Sequence, residues 1–467
     1  MDTNVVAVDT GDDKRKLCVE ELGADYFVDF MKDDVVATVK EVTGGGSHGV
    51  LLLSPAEKPF QQAVDYTRRW GTVACIALPA GAKGTFPVFD LVLQRLTIRG
   101  SIVGNRQDLA KALDFAARGK KGAVVTAHDK PVTIQRISVP TPGPDDVLVK
   151  VEYTGVCHTD LHAADGDWPI PTKLPLVGGH EGAGKVVALG SNVKDLKIGD
   201  KVGVVWLHSA CQTCEYCIQG RETVCPHQHM SGYSVDGSFQ EYCVARASHV
   251  ARIPDNLPLI EAAPILCAGV TVYKGLKETE VRSGQFVTIV GAGGGLGHLA
   301  VQYAKAMGMN VVAVDTGDDK RKLCVEELGA DYFVDFMKDD VVATVKEVTG
   351  GGSHGVLLLS PAEKPFQQAV DYTRRWGTVA CIALPAGAKG TFPVFDLVLQ
   401  RLTIRGSIVG NRQDLAEALD FAARGKVKCH YKTMMLDDLP AVFDDMKAGK
   451  IAGRIVLDLS GKRKECS

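Results

Sequence analysis

The sequence predicts an α/β protein containing a doubly wound parallel sheet, and three observations carry that expectation. Short apolar runs alternate with helical stretches between residues 311 and 409. A strand, a glycine-rich turn and a helix follow one another over Phe286–Met307. An internal repeat shows where that pattern recurs: Asn4–Lys120 is the same sequence as Asn310–Lys426, except that Lys111 replaces Glu417.

The elements can be justified in order. Phe286-Val-Thr-Ile-Val-Gly291 reads as a buried first strand. The turn Ala-Gly-Gly-Gly-Leu-Gly297 follows, then a helix over His298–Met307. Val311–Asp315, Asp331–Phe336, Gly355–Ser360, Thr378–Leu384 and Leu402–Val409 are the remaining expected strands. Helices over Asp319–Leu328 and Pro365–Arg375 fall between them. In the strand order 3-2-1-4-5-6, the first strand lies in the middle of the sheet. The N-terminal copy has no counterpart of that strand or of the glycine turn. It is therefore not expected to bind a dinucleotide alone. It reads as a recent copy, with a strand-exchange or regulatory element as the alternative, and its unpaired edges make it an aggregation hazard.

The bulk numbers exclude several classes. The chain has 467 residues, enough for two or three domains, and a formal net charge of -3. That balance gives no case for nucleic acid or an anionic membrane as partner. No apolar run approaches the roughly 20 residues that span a bilayer. The first residues, Met1 to Asp13, have neither the basic start of a signal peptide nor the character of a transit peptide, so a cytoplasmic protein is expected. Thirteen cysteines in such a chain suggest metal sites before disulfides.

Four of these cysteines, Cys211, Cys214, Cys217 and Cys225, are spaced C-x2-C-x2-C-x7-C. Four thiolates close a tetrahedral shell around zinc at about 2.3 Å and leave no open position, so the site should be structural. An iron–sulfur cluster also uses cysteine runs and is the alternative.

The glycine turn supplies a second site. Gly291, Gly293, Gly294, Gly295, Leu296 and Gly297 would bring backbone N–H groups and a helix N-terminus against a pyrophosphate. The strict G-x-G-x-x-G register is not met; the turn fits if it starts at Gly291. The next strand ends in Asp315, whose carboxylate would bind ribose hydroxyls and repel a 2'-phosphate, favouring NAD over NADP. Asp9, its counterpart in the copy, follows no glycine turn and is assigned no role.

Cys157 in Gly-Val-Cys-His-Thr-Asp, His180 in Gly-Gly-His-Glu-Gly and Cys267 in Ile-Leu-Cys-Ala-Gly have no spacing that joins them. Gly179-His180-Glu181-x2-Gly184-x5-Gly190-x2-Val193, however, matches the signature of medium-chain zinc-dependent alcohol dehydrogenases. From about Gly122 to Ser467 the chain resembles the yeast-like microbial members of that family, four-cysteine lobe included. The resemblance implies two zinc ions per subunit. Cys157, His180 and Cys267 would be ligands of the catalytic one, with an open fourth place and Glu181 able to approach it. Asp160 would hold the His180 imidazole.

By the same resemblance, Thr159 and His162 relay the alcohol proton outward. Lys320 lies beside the cofactor ribose, and His158 and Arg454 contact its pyrophosphate. Trp168, Trp206 and Leu384 would line a narrow pocket admitting ethanol and other short primary alcohols. The expected domains are a partial copy at 1–121, a chaperonin-10-like β-rich catalytic domain at 122–271 and 411–467, and a Rossmann NAD domain at 272–410. The resemblance also implies a homo-oligomer, a tetramer, paired through last strands of the sheets. The implied reaction is reversible oxidation of a small alcohol to an aldehyde with NAD. A polyol or secondary-alcohol dehydrogenase is the runner-up, and an inactive structural protein spoiled by its extension is the reading from outside enzymology.

Overall fold

The computed structural model describes residues 4–54, 56–76, 91, 93–101, 120–384, 389–451 and 453–461. The chain divides into two compact units, Met1–Ala112 and Leu113–Ser467.

The larger unit holds a six-stranded parallel sheet. Its order is Tyr332–Asp335, Asn310–Asp315, Phe286–Val290, Ser353–Leu358, Thr373–Cys381 and Thr403–Gly406. Phe286–Val290 is central, in register with Asn310–Val314 on one side and Gly355–Leu358 on the other. The strands are buried on both faces, which is why they read as unbroken runs of Val, Ile and Leu. One face packs Val287, Ile289, Ala313 and Leu357 against helices Ala268–Glu278 and Gly297–Ala306. The opposite face buries Val290, Val312, Val314 and Leu358 under Val341, Val345, Ala369 and Tyr372.

The sequence pattern located each strand but misplaced some ends. The helix expected to run to Arg375 stops at Tyr372, and Thr373–Cys381 is strand. Tertiary pairing overrides helix propensity there: Thr373 pairs with Ser353, and Arg374 donates to Gly352 O at 2.7 Å. The helix expected over Asp319–Leu328 begins at Asp318 and ends in a π-turn, Leu323–Glu327.

A seven-stranded sheet forms the other half of this unit. Asp146–Val156 runs through its middle, flanked by Gly182–Leu189, Tyr242–Arg246 and the returning C-terminal strand Arg454–Asp458. That return brings residues near 454 beside residues near 155. The four cysteines lie between Leu207–Ser209 and His229–Met230, a two-stranded ribbon.

The smaller unit repeats the outer strands without the central one. Among the described residues, Val6–Asp9 pairs only with Tyr26–Asp29, and Ser47–Leu52, Thr67–Cys75 and Thr97–Gly100 form a separate sheet. The loss is visible in exposure. Leu51 is 68% exposed where its counterpart Leu357 is 0%, and Leu22 is 71% exposed where Leu328 is 8%. One face keeps a small core around Val28, Val39, Leu52 and Tyr66. Among the described residues, no single helix is long and apolar enough to cross a membrane.

Candidate active site and metal centres

Both expected catalytic cysteines sit at helix starts. Cys157 ends the strand Asp146–Val156 and is the N-cap of His158–Asp165. Cys267 separates the 3-10 turn Ala263–Leu266 from helix Ala268–Glu278 and is its N-cap. The positive end of a helix dipole favours the thiolate form at Cys157, whereas the hydrogen bond to Cys157 and burial push the Cys267 thiol well above its usual range. His180 and Glu181 immediately precede the strand Gly182–Leu189. Ligand atoms of Cys157, His180, Glu181 and Cys267 all lie within 4.8 Å of one another, and His180 Nε2 is 3.2 Å from Cys267 Sγ.

A single carboxylate orients two of these groups. Asp160 Oδ2 accepts from the Cys157 backbone N–H at 2.9 Å, and Asp160 Oδ1 accepts from His180 Nδ1 at 2.8 Å. The second contact turns Nε2 toward the thiolates. The hydrogen bond from Cys267 and the nearby His180 hold the Cys157 thiol well below its usual range, against the effect of burial. Burial pushes His180 down, yet Asp160 and the Cys157 thiolate outweigh it and raise its pKa well above the ordinary value.

Glu181 is fully buried, and one oxygen, Oε1, accepts from the Arg454 guanidinium. The other, Oε2, has no hydrogen-bond partner among the described residues. It occupies space left by Gly155, where a Cβ would overlap it. A buried carboxylate oxygen with no partner costs free energy unless a positive group can complete it. Burial raises the Glu181 carboxyl to about 7 despite the Arg454 charge. Two thiols, an imidazole and this oxygen are the donor set of a divalent ion of zinc type.

The four-cysteine lobe has the dimensions of a closed shell. Cys211 and Cys217 sulfurs are 3.9 Å apart, Cys214 and Cys225 3.8 Å, and Cys225 and Cys211 3.6 Å. Thiolates about 2.3 Å from a shared tetrahedral centre stand about 3.8 Å apart, whereas a disulfide needs about 2.05 Å. The lobe's Cys214 N–H also donates to Cys211 Sγ at 3.3 Å. These residues fit a structural zinc.

The glycine turn lies where the sheet's first strand meets the helix Gly297–Ala306. Gly291 has φ +82, which opens the turn one residue earlier than the strict motif. A Cβ on Gly297 would overlap the Gly291 carbonyl, so helix and turn meet backbone to backbone. Asp315 Oδ2 accepts from Gly293 N–H at 2.8 Å, and Lys320 Nζ donates to Asp315 Oδ1 at 2.7 Å. On its other side the turn meets Arg454: a Cβ on Gly295 would lie 3.2 Å from Arg454 Cδ. Arg454 thus reaches from the glycine turn to Glu181 beside Cys157, His180 and Cys267.

Two contacts here escaped the sequence reading. His298, buried on the first turn of the helix, stands 3.1 Å from Gly294 O and accepts from His430 N–H at 3.1 Å. Burial pushes its pKa down to about 4, so it stays neutral and ties the turn to the C-terminal return. Tyr233 lies between the two tryptophans, with ring centroids 5.6 Å from Trp206 and 5.9 Å from Trp168. Trp206 meets His180 edge-on at 5.3 Å, and Trp168 stacks on His162 at 5.1 Å.

The other expected residues are placed as follows. Thr159 and His162 share one face of His158–Asp165, and His162 Nδ1 is 2.9 Å from Asp167 Oδ1. His158 is exposed beside Cys157. Leu384 is 55% exposed, past the end of Thr373–Cys381.

The chain is similar to known proteins over much of its length. Residues 143–255 match the alcohol dehydrogenase GroES-like domain, and residues 1–118 and 295–424 both match the zinc-binding dehydrogenase model. Alcohol dehydrogenase 1 of Neurospora crassa is 57% identical over 340 residues, covering 72% of this chain and 96% of its own length. The alcohol dehydrogenase of Schizosaccharomyces pombe is 54% identical, covering 72% and 97%. Among solved structures, the alcohol dehydrogenase of the archaeon Aeropyrum pernix superposes with a TM-score of 0.66 at 32% identity, covering 72% and 99%. With its two cysteine-based clusters and a glycine turn between strand and helix, the chain belongs to the zinc-binding alcohol dehydrogenase family.

Proposed function

We propose that this protein oxidises short primary alcohols such as ethanol to aldehydes, reversibly, with zinc and NAD. The observation that carries the reading is Arg454, which joins the glycine turn to Glu181 beside Cys157, His180 and Cys267. A nucleotide site and a metal site are thereby adjacent, as transfer between an alcohol carbon and a nicotinamide requires.

When bound, zinc supplies Lewis acidity that makes an alcohol hydroxyl acidic near neutral pH, and NAD supplies the hydride acceptor. The protein's own residues do the rest. Cys157, His180 and Cys267 would hold the catalytic ion, with the Glu181 carboxylate beside them able to approach it. Cys211, Cys214, Cys217 and Cys225 would hold the structural ion. Gly291, Gly293, Gly294, Gly295, Leu296 and Gly297 admit the pyrophosphate, with Arg454 supplying positive charge and His158, whose pKa burial pushes down, a neutral contact beside it. Asp315 takes the ribose hydroxyls, and Lys320 remains beside it. Thr159 takes the alcohol proton and His162 passes it outward, Asp167 accepting behind it.

Trp206 and Trp168, braced by Tyr233, narrow the alcohol pocket, and Leu384 adds a wall. The domain division follows: a catalytic domain at 122–271 and 411–467, an NAD domain at 272–410, and an incomplete copy of that NAD domain at 1–121. Thr403–Gly406, an edge strand among the described residues, supports a homo-oligomer, a tetramer in this reading. The free cysteines among the described residues support a reducing, cytoplasmic setting for the enzyme.

The test is the rate of NADH formation by the zinc-loaded full chain across ethanol, longer primary and secondary alcohols. Ethanol should be preferred and NADP should be a poor acceptor. A preference for secondary alcohols would overturn the substrate assignment, and no turnover of any alcohol would overturn the reading entirely.

A further inference from the structure

The four-cysteine lobe is wired to a helix that begins at a catalytic ligand. Glu222 lies in the turn Glu222–Val224, between Cys217 and Cys225, and is 4% exposed. Its carboxylate accepts from the Arg412 backbone N–H at 3.1 Å, from Nε at 3.0 Å and from a terminal guanidinium nitrogen at 2.9 Å. The other guanidinium nitrogen donates to Ser248 O, and Asn411 Nδ2 donates to Gly220 O at 2.9 Å. Arg412 is the first residue of helix Arg412–Ala423. A forked guanidinium–carboxylate pair with its carboxylate buried fixes orientation as well as distance.

The same helix grips a second one. Asp414 and Glu417 accept from Lys277 Nζ at 2.7 and 2.8 Å, Lys274 Nζ stands 3.6 Å from Asp414, and Glu417 also accepts from Tyr273 OH at 2.7 Å. Lys274, Lys277 and Tyr273 belong to Ala268–Glu278, whose N-cap is Cys267. Below the charges, Leu415, Ala418 and Leu419 share a core with Val272 and Leu276. The path runs from the lobe through Glu222, Arg412 and the charged pairs to the helix that carries Cys267.

The internal repeat adds an independent observation. The segment Arg106–Ala117 repeats Arg412–Ala423 with one change, Lys111 for Glu417. The single divergent residue is thus one whose carboxylate, in the complete unit, contacts the Cys267 helix.

We propose that Glu222, Arg412, Asp414 and Glu417 are positioning residues that couple the structural lobe to Cys267 and so set the geometry of the catalytic metal site. The inference rests on the reading of Cys267 as a metal ligand. A lobe that held only its own loop would need none of these contacts.

The test uses the full chain with cobalt exchanged into the catalytic site, in wild type and in Glu222→Gln, Glu417→Lys and Glu417→Gln. Wild type must first show thiolate-to-cobalt absorption; its absence would overturn the ligand reading itself. With that in place, Glu222→Gln and Glu417→Lys should shift the absorption and lower kcat about tenfold per bound metal, with KM for NAD unchanged. Glu417→Gln, which keeps an acceptor for Lys277, should move the spectrum less and guards against a misfolded lysine variant. Variants that melt lower but keep the wild-type spectrum and kcat per bound metal would overturn the proposal.

Discussion

Asp160→Asn isolates the contribution of one carboxylate to two metal ligands. In the protein, Asp160 accepts from the Cys157 N–H at 2.9 Å and from His180 Nδ1 at 2.8 Å, and it is 3% exposed. Asparagine keeps the shape and one acceptor oxygen. Its NH2 must then face either a backbone N–H or an imidazole N–H, so one charge-assisted bond is lost. A buried hydrogen bond to a charged group contributes about 2 kcal/mol, which corresponds to a factor of about 30. Catalytic-zinc affinity should fall by about that factor, because the freed imidazole no longer holds Nε2 on the metal. The assay is competition for zinc against a chromophoric chelator, with the four-cysteine site remaining loaded as an internal control. The helix cap at Cys157 weakens too, so melting is measured alongside. Unchanged affinity at the catalytic site, with zinc retained in both sites, would refute the assignment of Asp160 as the residue that orients these ligands.

Three further outcomes follow from the geometry. Asp315→Ser removes the carboxylate and leaves Lys320 unpaired, so the NADP to NAD preference, measured as a ratio of kcat/KM, should rise by at least about tenfold. Trp206→Ala vacates space beside His180 and should shift kcat/KM from ethanol toward longer primary alcohols; an unchanged ratio contradicts its place in the pocket. Gly155→Ala forces a Cβ into Glu181, and should cost about 1–3 kcal/mol in urea unfolding as well as activity.

The sequence was most legible where chemistry and spacing coincide locally. The lobe of Cys211, Cys214, Cys217 and Cys225 could be read directly, because thiolates two residues apart already point to one centre. The central strand Phe286–Val290 was legible because both its faces are buried, which leaves an unbroken apolar run. The catalytic cluster was not legible from spacing: Cys157, His180 and Cys267 come together only through the seven-stranded sheet and the helix beyond it. The Arg454–Glu181 pair was hidden for the same reason, since it exists only because the C-terminal strand returns antiparallel to Asp146–Val156. Tyr233 gave no signal at all; an aromatic between two tryptophans distant in sequence has no periodicity to betray it. The repeat was legible in full, but the effect of the absent strand appears only in structure, as Leu51 and Leu22 turned out to solvent.

The central claim is that one metal sits in an open Cys157–His180–Cys267 site next to the glycine turn, and a second in a closed four-cysteine shell. Anomalous diffraction at the zinc edge from crystals of the full chain grown with NAD tests it most directly. The account predicts two zinc peaks, at those two clusters, with the pyrophosphate against Gly293–Gly297 and the nicotinamide facing the open site. A single peak, or a nucleotide bound away from that turn, would contradict it.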